Sequence, residues 1–432
     1  MKNKGLILIN VLVFAVIAVT VTIALINWAT TTLQSTRQLV SREQAFQIAE
    51  SGVEYYRSYL AEHPADYTGG THDFKDRDGN TIGQFTLTIT PPSATSSVVV
   101  IKSKGTISGN SPISRVIQSV LVIPSLARYA VVSNDILHFK TGEEFFGPIH
   151  SNNEIRFDGI AHNIVTSSSP HPGVYTTVTG SNVFLAGTKF PVVEVDFDII
   201  TDSLSDIEDA AQANNRHYGP SGKEGYHIVL NANDTFTLSK VKNLINVNNP
   251  CEQDNPGQSG WGTWSVKNED SIGTYSFPTD GAIFFDDHVW VDGTINTARL
   301  TIGSSQNIIV NKDIIYTNYD GQDAIGLIAQ KNINIGIESE DNLRLDAALV
   351  TKEGRVGRHY YSTRCSNDGH TRNLITLYGM IATYNHYEFS YDNNTGYKFR
   401  NISFDQNLST NPPPFFPRLS DQYITLSWDE IK

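Results

Sequence analysis

The sequence predicts a mainly β protein that begins with one long α-helix. An apolar run from Leu6 to Trp28, without one formal charge, opens that helix. Between residues 64 and 126, alternating strands separated by Pro- and Ser-rich turns predict a small antiparallel meander. From residue 127 to 410, apart from an irregular insertion at about 188–277, short apolar strands alternate with segments rich in Asn, Gly and Asp, without helical patterns between them. This region favours an irregular right-handed parallel β-helix over the competing reading, a sandwich with hairpins.

The apolar run is long enough to span a bilayer, which takes roughly 20 apolar residues. Lys2 and Lys4 precede the run, whereas the first charge after it is Arg37. This asymmetry predicts that the N-terminus stays in the cytoplasm and that the rest of the chain lies outside. A cleaved signal peptide is the alternative, but Ala29-Thr30-Thr31 is only a weak version of its small-residue cleavage site.

The helix is predicted to continue far beyond the membrane. Apolar side chains recur at steps of three and four, at Phe46, Ala49, Val53, Tyr56 and Leu60. This spacing places them on one helical face, and Pro64 is expected to stop the helix. A helix from residue 6 to 60 would be roughly 80 Å long. We therefore divide it into a transmembrane part, 6–28, and an amphipathic part, 29–63.

Composition limits the chemistry that this chain can carry. The 432 residues have a net charge of −13, which disfavours nucleic acid as a partner. The two cysteines, Cys251 and Cys365, lie in polar, turn-rich segments. In an oxidising compartment they can form a disulfide, and the alternative is two unpaired loop thiols. Since no Cys/His spacing supports zinc, we expect no metal and no cofactor.

Two segments depart from the strand pattern. Residues 188–277 are an irregular insertion, in which residues 200–215 read as a short acidic helix with Asp202 as its N-cap. Trp261 and Trp264 in the same insertion either stack on a sugar or a partner, or cover the flank of their own domain. Residues 411–432 read as a Pro-rich strap followed by a terminal strand.

Catalysis has two candidate sets in the sequence. The first is Asp286-Asp287-His288, and the second combines Arg355 with Arg358 and His359. The polysaccharide lyases and hydrolases found on parallel β-helices need acidic pairs or an Arg or Lys base in a groove. Turn chemistry also explains the aspartates, and a solvated hairpin explains the basic set. Because no nucleophile elbow, zinc-protease motif or phosphate-binding loop accompanies them, we expect no enzymatic activity.

The N-terminal segment carries a family resemblance. Basic residues, Gly5, the apolar run and then Ala45, Ala49, Glu50 and Gly52 follow in the order of a leader glycine, an apolar helix and an AxxxAExG signature. This segment resembles that of PilX-type minor pilins. The resemblance implies that a prepilin peptidase cleaves between Gly5 and Leu6, and that the helix packs against other pilin-like subunits.

One residue departs from the pattern of major pilins. Asn10, the fifth residue after Gly5, stands where a major pilin carries a glutamate thought to pair with a neighbouring N-terminal amine. PilX-type proteins often lack that glutamate as well. The resemblance therefore implies that Asn10 acts in filament assembly as part of a minor or initiating subunit.

A second resemblance covers the following region. Gly147, His150, Ser151 and Asn152 are similar to a G-x-[VI]-H-[ST]-N segment of a bacterial envelope domain family of unknown function, which commonly follows a PilX-type N-terminus. Together the resemblances imply a subunit of a type IV pilus or related secretion filament, inserted in the cytoplasmic membrane and displaying a β-rich body at the cell surface. The alternative is a permanently anchored surface protein whose β-helix binds, or cleaves, envelope or host polysaccharide.

Overall fold

The computed structural model describes residues 4–64, 66–92, 97–108, 113–180, 182–254, 257–365, 369–391 and 395–431, with residues 4–7 described by their backbone alone. The chain forms two compact units. Unit 1 comprises Met1–Pro91, Val99–Val122 and Gln422–Lys432, and unit 2 comprises Pro92–Val98 and Ile123–Asp421. Unit 2 is thus mainly a single insertion into the chain of unit 1.

The helices are α1 (Lys4–Glu62), α2 (Ile199–Ala213) and α3 (Asn249–Gln253), with short 3-10 turns at Leu126–Arg128 and Gln406–Ser409. The strands are β1 (Gly70–Lys75), β2 (Thr81–Thr90), β3 (Val99–Ile107), β4 (Ser114–Val122), β5 (Val131–Ser133), β6 (Leu137–Phe139), β7 (Glu144–Phe145), β8 (Ile149–Ser151), β9 (Ile155–Phe157), β10 (Ile160–Ala161), β11 (Val165–Ser167), β12 (Val174–Tyr175), β13 (Thr188–Lys189), β14 (His217–Tyr218), β15 (Gly225–Asn231), β16 (Thr235–Leu244), β17 (Val266–Ser276), β18 (Ala282–Phe285), β19 (Val289–Ile295), β20 (Arg299–Ser304), β21 (Ile308–Ile309), β22 (Ile314–Tyr316), β23 (Ala324–Ala329), β24 (Ile333–Ile335), β25 (Asn342–Thr351), β26 (Val356–Arg358), β27 (Thr371–Thr383), β28 (Gly396–Phe404) and β29 (Ile424–Ile431).

Unit 1 packs the second half of α1 on a five-stranded antiparallel sheet with the order β1-β2-β3-β4-β29. Alternate side chains of β2, β3 and β4 are buried, as period-two strands require when one face is covered. The buried apolar side chains of the helix are those of Ala45, Ile48, Ala49, Val53, Tyr56 and Leu60. The predicted long helix and antiparallel meander are therefore confirmed, and α1 ends two residues before Pro64.

The last strand of the chain belongs to this same sheet. Strand β29 pairs antiparallel with β4 across the register Ile424↔Val122 to Ile431↔Val116. The sequence predicts a terminal strand but not its partner, because the pairing joins residues about 300 positions apart. The sheet of unit 1 can therefore be completed only after unit 2 has been synthesised, because β29 follows unit 2 in the chain.

Unit 2 contains a large, mainly parallel sheet. One row of strands runs β14-β18-β20-β23-β25-β27-β5-β8-β11-β13, and every pairing in this row is parallel. A second row, β15-β19-β21-β24-β26, is also parallel. The structure is thus mainly β, with one long N-terminal helix, an antiparallel sheet and a large parallel sheet. The hairpin connections of a sandwich do not occur within these two rows.

The chain enters the first row in its middle. Strand β5 lies between β27 and β8, with Ile381 opposite Val131 and Val131 opposite Ile149. From β8 the row extends to β13 at one end, and the chain then passes through α2 to β14 at the opposite end. From β14 the chain adds β18, β20, β23, β25 and β27 to the row in that order, with strands of the second row between them in sequence. The last of these, β27, pairs with β5. Neighbours in this part of the row are therefore distant in sequence.

The insertion at residues 188–277 contains α2 and an antiparallel meander of β15, β16 and β17. Helix α2 buries Ile200, Leu204, Ile207 and Ala211 in a cluster with Phe284. The helix begins at Ile199, after Asp198, so the predicted N-cap at Asp202 is wrong. The helix starts earlier because Ile200 belongs to its buried face, and this leaves Asp202 in the first turn.

The Pro-rich strap, residues 411–421, is held by side chains of unit 2. The Arg299 guanidinium donates to the carbonyl oxygens of Asn411 at 2.6 Å and Pro412 at 2.5 Å. The hydroxyls of Thr301 and Ser203 donate to carbonyls farther along the strap. Proline provides no backbone N–H, so the strap is fastened mainly through its carbonyl oxygens.

Candidate functional site

The first half of α1 is an exposed apolar surface. Its large apolar side chains from Leu8 to Trp28 are each 49% to 70% exposed. Among the described residues, α1 is the one helix long and apolar enough to cross a membrane. An apolar surface of this length is unstable in water, and it is stable in a bilayer or against other apolar helices. We define residues 8–28 as the free helix.

Polar groups on the free helix are compatible with an apolar environment. The Thr20 hydroxyl donates to the Val16 carbonyl at 3.0 Å, and the Thr22 hydroxyl donates to the Ala18 carbonyl at 2.7 Å. Such bonds satisfy the hydroxyl groups within the helix, as a membrane requires. Asn10 lies on this surface and carries a neutral, exposed amide.

The predicted leader lies at the start of α1. Residues 1–3 fall outside the described residues, whereas the backbone of Gly5 and Leu6 is helical. The geometry of this segment does not bear on cleavage between these two residues, so processing stays a prediction.

The three small residues of the AxxxAExG signature, Ala45, Ala49 and Gly52, lie in the contact between α1 and its sheet, whereas Glu50 is exposed. A Cβ atom added at Gly105 of β3 would lie 2.2 Å from the Ala45 carbonyl oxygen and 2.4 Å from the Ala49 nitrogen. A Cβ atom added at Gly52 would lie 2.3 Å from the Ser103 Oγ atom. Small residues on both elements therefore let the helix and sheet backbones approach closely. This contact fixes the second half of α1 and leaves the free helix uncovered by the sheet of unit 1.

The two cysteines are joined in the structure. Cys251 of α3 and Cys365, which follows β26, form a disulfide that closes a sequence separation of 114 residues. Both cysteines are buried, in a cluster with Ile337 and Tyr361. The bond therefore ties the insertion to a late part of unit 2.

Trp261 and Trp264 pack within unit 2. The Trp261 indole donates to the Tyr360 carbonyl at 3.0 Å and its ring lies 6.0 Å from that of Tyr361. Trp264 lies 6.4 Å from the ring of Trp290. Both rings are half-buried, which is the arrangement of side chains that cover their own domain. Contact of either ring with a ligand stays a prediction.

The first catalytic set is divided among three different contacts. Asp287 accepts hydrogen bonds from the backbone and the hydroxyl of Ser221, at 2.9 and 2.6 Å. The His288 Nδ1 atom accepts from the Asn307 backbone at 3.2 Å. Asp286 instead lies 2.9 Å from the Nε2 atom of His217. The three sequence neighbours therefore do not converge on one reacting atom.

The second catalytic set is largely buried and structural. The guanidinium of Arg358 is fully buried and donates to the carbonyls of Gly336, Ile337 and Gly369. Burial, followed by the charges of Arg355 and Arg358, lowers the pKa of His359 to about 3, so the ring is neutral at physiological pH. The Arg355 guanidinium lies 3.0 Å from the His359 Nδ1 atom.

The G-x-[VI]-H-[ST]-N residues link neighbouring strands. The His150 Nδ1 atom lies 2.9 Å from the Thr166 hydroxyl, and burial lowers the pKa of His150. The Asn152 amide donates to Asn134 at 2.9 Å and accepts from the Val195 backbone at 2.7 Å. These side chains therefore satisfy buried polar groups between strands, which explains their residue types.

A polar groove of about 290 Å³ opens on unit 2. Its charged lining consists of Asp135, Lys140, Glu143, Glu388 and Arg400, with His138 and His386. Within it, the Glu143 carboxylate accepts two hydrogen bonds from Arg400, at 2.7 and 3.0 Å. Burial raises the pKa of Glu388. The groove offers donors and acceptors of both charges, which suits a hydroxyl-rich ligand better than a strongly charged one.

A buried histidine that the sequence did not single out joins three strands. The His227 Nδ1 atom of β15 lies 2.7 Å from Glu269 of β17, and its Nε2 atom lies 2.7 Å from Asp292 of β19. Burial alone lowers the pKa of His227, but the hydrogen bonds to Asp292 and Glu269 outweigh burial and raise it to about 9. The imidazolium therefore donates from both ring nitrogens at neutral pH.

Comparison with solved structures shows a likeness to a pilin. No protein-family model and no curated protein matches the sequence. Among solved structures, the chain is similar to the competence-associated pilin ComZ from Thermus thermophilus, at 14% identity and a TM-score of 0.34. The alignment covers 90% of this chain and 97% of that chain. A TM-score this low does not establish a shared function.

Proposed function

We propose that this chain is a membrane-inserted, pilin-like envelope protein. In this role it is a minor or initiating subunit of a type IV pilus or related secretion filament, and it displays a β-rich body for structural or adhesive contact. One observation carries the proposal: α1 is a single helix whose second half is buried on its own sheet while residues 8–28 are exposed and apolar.

During such a life cycle, two different apolar environments have to shield the free helix from water, one before assembly and one after it. Before assembly, the cytoplasmic membrane covers it, with Lys2 and Lys4 on the cytoplasmic side. After a prepilin peptidase has cut between Gly5 and Leu6, the apolar helices of other pilin-like subunits replace the lipid. Both environments are apolar, so the transfer keeps the same side chains out of water.

Asn10 supports a minority position in the filament. A neutral amide can accept a hydrogen bond from a neighbouring N-terminal amine but supplies no counter-charge. An unpaired ammonium in an apolar environment is costly, so this subunit fits best at an end, where it need not neutralise another chain. In sheared filaments, quantitative proteomics should therefore find it far below a glutamate-bearing pilin. Equal abundance would contradict this assignment.

For unit 2 we propose the irregular right-handed β-helix of the envelope family that the sequence resembles, without enzymatic activity. The long parallel rows support this architecture. The absence of catalysis is supported by the two candidate sets, whose described side chains are engaged in separate hydrogen bonds within unit 2.

The test of the main proposal is the intact mass of the native protein, produced with and without a prepilin peptidase. We expect loss of residues 1–5 with the peptidase present. The matched control is Gly5→Val, which should remain uncut because the leader glycine is missing while the apolar run is unchanged. An N-terminus at Met1 in both wild-type samples, or one near Thr30, would contradict pilin-type processing.

The polar groove favours a second candidate, a permanently anchored surface protein that binds envelope or host polysaccharide. This candidate predicts an uncut N-terminus and fractionation with membranes instead of sheared filaments. It further predicts that Arg400→Ala, which removes the partner of Glu143 in the groove, reduces retention on a polysaccharide matrix. Unchanged retention would count against the groove as the binding site.

A further inference from the structure

Three potential metal ligands meet at one end of the parallel row. Glu208 belongs to α2, His217 to β14, and Asp286 follows β18. The His217 Nε2 atom lies 2.9 Å from an Asp286 oxygen and 3.9 Å from a Glu208 oxygen, and all three ligand atoms lie within 4.8 Å of one another. Each side chain is partly exposed, so an ion and its remaining water can reach the cluster.

These separations fit a common metal ion. Bonds of about 2.0 to 2.1 Å in a tetrahedral zinc site place neighbouring ligand atoms about 3.3 Å apart. The two distances from His217 lie on either side of that value, so small side-chain adjustments bring Glu208 and Asp286 to it. One imidazole and two carboxylates are hard-to-borderline ligands that suit Zn²⁺ and related transition ions, and a fourth position stays open to water.

The two carboxylates of the cluster also favour binding of a cation. Glu208 and Asp286 are two carboxylates that converge on one imidazole, and like charges this close repel each other. The nearest cation in sequence, Arg216, is directed elsewhere: its guanidinium donates to the Ser276 and Asn215 carbonyls and lies over the Phe236 ring. A divalent ion between the carboxylates would offset this repulsion.

We propose that Glu208, His217 and Asp286 bind one divalent transition-metal ion of the zinc class. The ion joins α2 to the terminal strand β14 and to the end of β18, and so fastens the helix that covers this end of the row. This site is independent of filament assembly and of the proposed function. It was missed in the sequence because its ligands are separated by 9 and 69 positions and match no ligand spacing.

The test uses the untagged, full-length chain in detergent, freed of metal with a chelator. Calorimetric titration with Zn²⁺ should show one equivalent bound, and Co²⁺ should give the visible absorption of a four-coordinate ion. The principal variant is Glu208→Gln, which removes one ligand and keeps the hydrogen bond between His217 and Asp286. We expect the dissociation constant to rise by more than the roughly 10- to 100-fold that loss of an outer-shell partner costs.

The matched control is His162→Gln. His162 lies 3.1 Å from Glu144, and this pair offers two potential metal ligands elsewhere in unit 2. The change should therefore leave zinc binding at the proposed site unaltered. Circular dichroism of each metal-free variant establishes whether it folds. If Glu208→Gln does not fold, Asp286→Asn serves as the ligand variant in its place. Absence of zinc binding, binding unaffected by the ligand variant, or equal binding of Mg²⁺ would overturn the proposal.

Discussion

The buried imidazolium of His227 should make the stability of unit 2 fall as the pH rises. The pKa of His227 is raised from 6.5 to about 9 in the folded protein. A raised pKa stabilises the fold fully below the unfolded pKa, and that stabilisation is lost between about pH 6.5 and pH 9. Since one pKa unit corresponds to about 1.4 kcal/mol, the loss across this window is about 3 kcal/mol.

His227→Gln should remove most of that pH dependence. Glutamine can donate to one carboxylate but carries no charge, so Glu269 and Asp292 are left without their cation. We expect the free energy of unfolding at pH 6.5 to fall by about 3 to 5 kcal/mol, the usual cost of breaking a buried ion pair. At pH 10, where the wild-type ring is neutral, the difference between the two proteins should be much smaller.

The assay is denaturant unfolding of the detergent-solubilised chain at several pH values from 6 to 10. The control is His162→Gln, whose ring faces an exposed carboxylate and should contribute little. Comparing variant with wild type at each pH removes the contribution of other titrating groups. Parallel stability curves for wild type and His227→Gln across this range would refute the reasoning.

Three further changes test other contacts. Gly105→Ala should lower the melting temperature measured by circular dichroism, because overpacking a close backbone contact costs about 1 to 3 kcal/mol. The control is Gly70→Ala, where an added Cβ atom meets its nearest neighbour at an ordinary 3.5 Å. Cys251→Ser removes the disulfide that closes a separation of 114 residues and contributes roughly 4 to 5 kcal/mol by chain entropy. Limited proteolysis should then cut residues 188–277 first. An unchanged cleavage pattern would disprove the stabilising role of the disulfide. Arg299→Ala removes charge-assisted bonds worth about 1.5 to 3 kcal/mol, so mass spectrometry should detect faster protease cleavage of the strap than in wild type.

Most of unit 2 is inserted in the chain between β4 and β29 of unit 1. Within unit 2, the entering and leaving segments lie side by side: the Leu126 amide donates to the Pro417 carbonyl, and the Leu419 amide donates to the Pro124 carbonyl. Within unit 1, β4 and β29 are paired neighbours. An insertion of about 300 residues into the chain therefore leaves the pairing of β4 with β29 intact.

Local pattern in the sequence determined the long helix, its apolar first half, the strands β2 to β4 and the strand-rich character of unit 2. These features depend on residues within a few positions of each other, so periodicity and turn residues suffice to predict them. The exposed face of α1 followed from the same information, because a charge-free run needs no distant partner to be recognised.

Only the tertiary structure decided which distant residues meet. The pairing of β29 with β4 and of β27 with β5, the salt-bridged His227, and the cluster of Glu208 with His217 and Asp286 all join residues that share no sequence pattern. Asp286 shows the difference most clearly, since its sequence neighbour His288 lies elsewhere and its actual partner is 69 positions upstream. Such contacts depend on the closing of long loops and on burial in the complete fold, and no local preference of the chain encodes either.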